Sequence, residues 1–375
     1  MDTVLTGITT TGTPHIGNYV GAIRPTVLAS RDTSVTSFYF LADYHSLVKS
    51  LDSDQVARST LEIAASWLAA GLSPDCVFYR QSDVPEIMEL TWVLTCMTAK
   101  GLMNRAHAYK AAVAENDAGT DKDPDKGITM GLFCYPILMA ADILMFKANK
   151  VPVGKDQIQH VEMARDIAGR FNHHYGEMFV LPKAVVDKST AVLPGLDGRK
   201  MSKSYGNIIP LFAEEGTLRK LIMRIKTNSQ EPGEAKNPET SSLFSIFRAF
   251  STEEEAESMR KHYAEGIAWG EMKQTLFEYL NEHLKEPRAE YNRLMAAPDY
   301  IEEVLRRGAE KAREVSRPFM DEIRAAVGGR VVSLAEDFED SEITRERRAL
   351  TKIELVQKQC ARLENLLNDF LRFAR

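Results

Sequence analysis

Residues 4–18 read Val-Leu-Thr-Gly-Ile-Thr-Thr-Thr-Gly-Thr-Pro-His-Ile-Gly-Asn. Val4–Ile8 is short and apolar and suits a strand, and a threonine- and glycine-bearing turn leads from it to His15 and a helical pattern over Ile16–Ser30. A strand, a small-residue turn, a histidine and a helix N-terminus together suit the phosphates of a nucleotide. Gly17 admits a backbone or a nucleotide where a Cβ would block it. His15 and Asn18 can hydrogen-bond phosphate or ribose without adding fixed charge, although a histidine at a turn also has purely structural uses. Downstream, Lys200-Met201-Ser202-Lys203-Ser204 lies among Gly195, Gly198 and Gly206, which puts two lysines on a loop able to move. A lysine-rich surface turn is common by itself. Paired with the upstream motif, it supplies positive charge to the same phosphates.

Working outward, strands and helices alternate over the first 180 or so residues, a pattern that places ligands at strand C-terminal ends. Phe38–Ala42, Val77–Tyr79 and Val151–Val153 read as further strands; Ser53–Ala70, Pro85–Thr98 and Asp156–Phe171 read as helices. Ser53 and Asp54 are N-cap candidates, with Gly71 as the stop. The alternation predicts an α/β fold, a Rossmann-like, doubly wound parallel sheet. Residues 114–127 are polar and turn-rich and read as a mobile insertion. From about Pro210 the chain becomes a series of charged helical segments without clear strands, the signature of an all-α C-terminal domain. The expected division is 1–209, 210–329 and 330–375. The last part is an acidic linker followed by an amphipathic helix with Ile353, Val356, Cys360, Leu363, Leu367 and Phe370 in an a/d stripe. That stripe suits docking on the protein's own body, self-association or RNA contact.

Hydrophobic content of 44% and charged content of 27% are those of an ordinary globular protein. The longest apolar stretch, Leu132–Phe146, contains Asp142 and is too short to span a bilayer. The chain starts without the features of a signal peptide. Cys76, Cys96, Cys134 and Cys360 show no C-x-x-C spacing and suit reduced thiols in a cytoplasmic protein; no metal-ligand spacing appears, and His173-His174 reads as surface. With a net charge of −6, a nucleic-acid partner must be met by a local basic patch.

The turn at Thr13–Asn18 resembles the H-I-G-H element of class I aminoacyl-tRNA synthetases, with Asn18 replacing the last histidine, and Lys200–Ser204 resembles their K-M-S-K-S loop. Four further blocks narrow the resemblance, over about residues 1–325, to the bacterial-type tryptophanyl-tRNA synthetases. They are Gly17–Ala22, Ala42-Asp43-Tyr44-His45, Tyr135–Leu144 and Val151–His160. The resemblance implies activation of L-tryptophan by ATP, entering with Mg²⁺, followed by transfer to tRNA-Trp, in a cytoplasmic homodimer. It places Lys200, Lys203, His15 and Asn18 in catalysis. It places ATP against Thr9, Thr10, Thr11, Gly17, Gly154, Lys155, Asp156, Met201, Ser202 and Ser204. Thr9–Thr11 stand where most members carry Gln-Pro-Ser, and Lys155 where they carry Glu. Asp156 is also a good helix cap. The region 210–329 would recognise the anticodon, and Val331–Arg375 lies outside the resemblance.

Asp142 is the most informative single residue, because a carboxylate among apolar and alanine neighbours is costly unless it finds a donor. The indole N–H donates and cannot accept, so an acidic acceptor in an apolar slot would read tryptophan. A salt bridge to an arginine is the structural alternative. Met139, Leu5, Gly7 and His45 would line the slot, Tyr135 and Gln157 would take the α-ammonium group, and Lys110 is a weaker candidate for a phosphate. Rival functions are a tyrosyl-tRNA synthetase, an idle synthetase-like RNA-binding regulator, and a small-substrate adenylyltransferase.

Overall fold

In the computed structural model the described residues are 2–118, 123–186 and 192–328. The chain divides into two compact units, Met1–Met320 and Asp321–Arg375. The first holds one sheet of five parallel strands in the order β3-β2-β1-β4-β5: β1 Asp2–Thr9, β2 Val35–Ala42, β3 Val77–Arg80, β4 Lys150–Pro152 and β5 Lys183–Val185. β1 and β2 run in register from Asp2 opposite Val35 to Thr9 opposite Ala42. The strand order reverses direction between β1 and β4, and in open α/β sheets ligands occupy the crevice beyond the strand ends at that point. The segments leaving β1 and β4 there are Thr10–Asn18 and Val153–Gln157.

The helices of the first unit are α1 Ile16–Asn18, α2 Arg24–Ala29, α3 Asp43–Ser46, α4 Ser53–Ala69, α5 Glu86–Met97, α6 Lys100–Met103, α7 His107–Ala118, α8 Met130–Met145 and α9 Ile158–Tyr175. They continue with α10 Glu215–Met223, α11 Ser242–Phe250, α12 Glu253–Ala264, α13 Trp269–His283, α14 Lys285–Met295 and α15 Pro298–Ala326, whose end from Asp321 belongs to the second unit. The expected helix over 16–30 is interrupted by a wide π turn at Tyr19–Ile23, just ahead of Pro25, which has no N–H to donate. Asp52, not Ser53 or Asp54, caps α4, accepting the Gln55 N–H at 3.0 Å. Asp156 caps no helix; α9 starts after a 3₁₀ turn at Lys155–Gln157.

α8 and β5 are absent from the sequence-based strand and helix assignments. α8 is buried along most of its length, so no polar stripe marks its period. Within 114–127, residues 114–118 form the end of α7 and residues 123–127 a turn. There the Asn116 amide donates to the Pro124 and Lys126 carbonyls at 2.8 and 2.9 Å, and Tyr109 donates to Asp125 at 2.7 Å.

Sheet and later helices share one apolar core, from Ile16, Tyr39 and Leu41 through Ile209 and Leu211 to Phe244 and Leu276. Tyr19 stacks on Phe250 at 5.7 Å. The expected boundary at 209/210 therefore falls inside the first unit, between elements that bury apolar surface together. α15 seats on β3 and α5. Arg313 pairs with the buried Glu86 at 2.8 Å, Arg80 pairs with Glu302 at 2.8 Å, and a Cβ at Gly308 would collide with the Phe78 carbonyl. The tail stripe Ile353–Phe370 and Cys360 lie outside the described residues, as does the whole of the expected linker. Among described residues, no helix is long and apolar enough to cross a membrane.

Candidate active site

The turn after β1 is braced from beneath by α4. The Gly12 N–H donates to Ser59 Oγ at 2.9 Å and the Thr13 hydroxyl to Glu62 at 2.7 Å. Thr10 is turned inward, 1% exposed, with its hydroxyl 2.6 Å from that of Ser46, whereas Thr9 is exposed. His15 and Asn18 hold each other in a capping box: Asn18 N–H donates to His15 Nδ1 at 3.2 Å and His15 N–H to Asn18 Oδ1 at 3.1 Å. The His15 proton therefore sits on Nε2. Burial, with the Lys203 charge in addition, lowers His15 to about 4, so the ring is neutral near pH 7. The unfolded chain binds that proton near 6.5. The stability this group contributes is present above 6.5 and is lost as pH falls towards 4. Gly17 is needed here, since a Cβ would lie 3.0 Å from His15 Nδ1.

The lysine loop is built onto this turn. Ile16 N–H donates to the Ile209 carbonyl at 3.0 Å and Leu211 N–H to the Pro14 carbonyl at 2.9 Å. The Lys203 ammonium donates to the Thr11 carbonyl, and its partial burial lowers its pKa. Met201 is buried; Lys200 and Ser204 are exposed. Asn207, 3% exposed, ties the loop internally: its Oδ1 accepts the Ser202 N–H at 2.8 Å, and its Nδ2 donates to Asp197 Oδ1 at 2.7 Å and the Lys200 carbonyl at 3.1 Å. Gly195 lies so close that a Cβ would be 2.4 Å from the Asn207 amide. Hydrogen bonds from Asn207 and Arg199 hold Asp197 down to about 2. Asn207→Ala removes three bonds that place both lysines. It should cost about 1–3 kcal/mol of stability, measured by equilibrium denaturation.

On the other side of the crevice, Tyr135, Met139 and Asp142 share one face of α8 at i, i+4, i+7 spacing. Asp142 is fully buried, and among the described residues no arginine pairs with it: His45 Nε2 lies 2.8 Å from Oδ2, and Gln81 Nε2 donates to Oδ1 at 2.7 Å. Burial raises the Asp142 pKa while these two donors pull it down. His45 is thus a partner of Asp142, beyond lining the slot. Leu5 is buried beneath, and Gly7 offers a bare strand surface because a Cβ would strike the Phe40 ring at 2.6 Å.

A second chain of bonds lies at the other end of that face. The Gln157 amide nitrogen is turned to Asp156 at 3.3 Å, which leaves Oε1 to accept from His160 Nδ1 at 2.7 Å. Burial lowers His160, so the ring is neutral and its Nε2 accepts the Tyr135 O–H at 2.9 Å. The phenolic oxygen keeps its lone pairs for a cationic group. Gly154, Lys155 and Asp156 are exposed beyond β4.

The structure thus assembles the motif residues at the two strand ends flanking the reversal, with Lys110 exposed on α7. Sequence reasoning passed over Ser59, Glu62, Gln81, His160, Asp197 and Asn207. Gln81 was within reach, since it immediately follows a strand at the ligand end of the sheet, and Asn207 follows the lysine motif by three residues. Among described residues no group of three or more His, Cys, Asp or Glu is placed to hold a metal.

A family model described as class I tRNA synthetases (W and Y) matches residues 2–285. The chain is 58% identical over 351 residues to the tryptophan–tRNA ligase of Pseudomonas aeruginosa, spanning 92% of this chain and 78% of that one. That coverage carries the match past Arg330, further than the sequence reading extended it. With the tryptophan–tRNA ligase of Neisseria meningitidis, identity is 57% over 326 residues, 87% of this chain and 97% of that one. The crystal structure of Campylobacter jejuni tryptophanyl-tRNA synthetase complexed with ADP and tryptophan aligns at a TM-score of 0.80 and 43% identity, covering 87% of this chain and 99% of that one.

Proposed function

The chain belongs to the class I tRNA synthetases of the tryptophan and tyrosine type, and from that premise we propose how its residues divide the work. The reaction is activation of L-tryptophan with ATP to tryptophanyl-adenylate, then transfer of the tryptophanyl group to the 3′ end of tRNA-Trp. ATP enters as its Mg²⁺ complex, the metal carried by the phosphates. A carboxylate oxygen of tryptophan attacks the α-phosphorus, the bond to the bridging oxygen breaks, and pyrophosphate leaves with the negative charge. Such a step needs alignment and charge neutralisation more than a strong base. Lys203 and Lys200 neutralise the departing pyrophosphate, and neutral His15 donates through Nε2–H. In the second step a ribose hydroxyl attacks the acyl carbon and AMP departs.

Asp142 accepts from the indole N–H, and Tyr135 takes the α-ammonium group. Seven residues of α8, about 10 Å of helix rise, separate them, a span on the scale of an aromatic amino acid. The observation that carries the assignment is a fully buried carboxylate with one hydrogen-bond partner on each oxygen, Gln81 and His45, and acceptor capacity left over. ATP–pyrophosphate exchange with each of the twenty amino acids tests it: exchange with tryptophan alone is expected, and tyrosine-dependent exchange would overturn it.

The helices after Pro210 recognise the anticodon, and the protein works in the cytoplasm. A homodimer would cover the exposed stripe Met88, Trp92 and Cys96 on α5, where Trp92 is 69% exposed. Trp92→Glu should shift the mass measured by light scattering from dimer to monomer. A variant that stays dimeric would move the interface elsewhere.

A further inference from the structure

Gln81, itself fully buried, opens a single 3₁₀ turn, Gln81–Asp83, directly after β3. Its side-chain oxygen accepts the Tyr44 N–H at 3.2 Å. That bond fixes the amide the other way round at its far end, so Nε2 must be the atom facing Asp142 Oδ1 at 2.7 Å. Across the carboxylate, His45 Nε2 meets Oδ2 at 2.8 Å. One donor on each oxygen sets the plane of the group. A carboxylate offers about four lone-pair sites, so acceptor capacity remains on both oxygens.

The identity of the donor matters. An arginine in this place would engage both oxygens and cancel their charge. An amide is neutral and occupies one site on one oxygen, so it orients the carboxylate without spending its charge. It also favours the ionised form against burial and against the nearby charge of Asp43. We propose that Gln81 is a positioning residue for amino-acid selection, holding the Asp142 carboxyl turned as an acceptor to the indole N–H of tryptophan. The proposal rests on the reading of Asp142 given above.

Its test compares tryptophan with β-(3-benzothienyl)-L-alanine, which keeps the bicyclic shape and has sulfur in place of the N–H. In the full-length enzyme, Gln81→Met should lower kcat/KM for tryptophan about 10- to 100-fold in pyrophosphate exchange, chiefly through KM. Activity with the benzothienyl substrate should change less than about threefold, and KM for ATP should hold, because that analogue never drew on the acceptor. Gln81→Asn, which keeps a buried amide but withdraws it by one methylene, should shift the ratio the same way and serves if the methionine variant does not fold. Equal losses with both substrates would reduce Gln81 to a structural residue and overturn the proposal, as would an unchanged kcat/KM for tryptophan. Asp142→Ala is measured alongside. If it abolishes the preference while the Gln81 variants keep it, only the positioning role falls. If it too keeps the preference, the reading of Asp142 itself fails.

Discussion

Lys203→Ala is expected to slow tryptophanyl-adenylate formation about 30- to 1000-fold, equivalent to about 2–4 kcal/mol of lost transition-state stabilisation. Lys203 reaches from the loop to the turn after β1, its ammonium resting on the Thr11 carbonyl beside Gly12. A carbonyl is a weak anchor for a desolvated ammonium, and a phosphate oxygen arriving there would replace it by a charge-assisted bond. Tryptophan affinity should not change, because the α8 face makes no use of this side chain. His15 should stay neutral as well, since burial is the larger cause of its low pKa. Rapid-quench measurement of adenylate in a single turnover is the decisive assay; a wild-type rate constant in the variant would remove Lys203 from the chemistry.

Asp142→Ala should cost more than about 2 kcal/mol in kcat/KM for tryptophan, roughly 30-fold or more, with ATP binding preserved. The change removes the acceptor and also strands the donors of Gln81 and His45, both within hydrogen-bond reach of it now. Some loss of thermal stability should therefore accompany the kinetic loss, and calorimetry separates the two. Asp142→Asn should fall between, because the amide still accepts but brings an N–H that the slot must satisfy. Wild-type kcat/KM for tryptophan in the alanine variant would end the specificity role.

Much of this could be read before any coordinates. The parallel sheet followed from short β-rich runs alternating with helical ones, and the turn after β1 and the lysine loop stood out by glycine, histidine and lysine in a local order. Residues whose contacts lie within such a motif, such as His15 and Asn18, were singled out in the sequence. Partners across the fold were not. Gln81 meets Asp142 across 61 positions and Glu62 meets Thr13 across 49, and nothing local in either sequence announces the partner. Asp142 is instructive because its anomaly, a charge in an apolar run, was visible while its partners within the fold, Gln81 and His45, were not; a salt bridge to an arginine was the structural alternative. β5 escaped because three residues carry too little pattern, and α8 because a helix buried all round shows no period.

The backbone pairing of Pro14–Ile16 with Ile209–Leu211 bears on how this loop could be exchanged between enzymes. Its downstream end is stitched to the histidine turn, and its upstream end is held by the Met201 N–H bond to the Leu193 carbonyl and by Asn207. A transplant of the five motif residues alone would leave them on foreign anchors, with the lysines at the wrong height above the turn that follows β1. The smallest portable cassette is Leu193–Leu211, and its recipient must present a matching edge at positions 14–16.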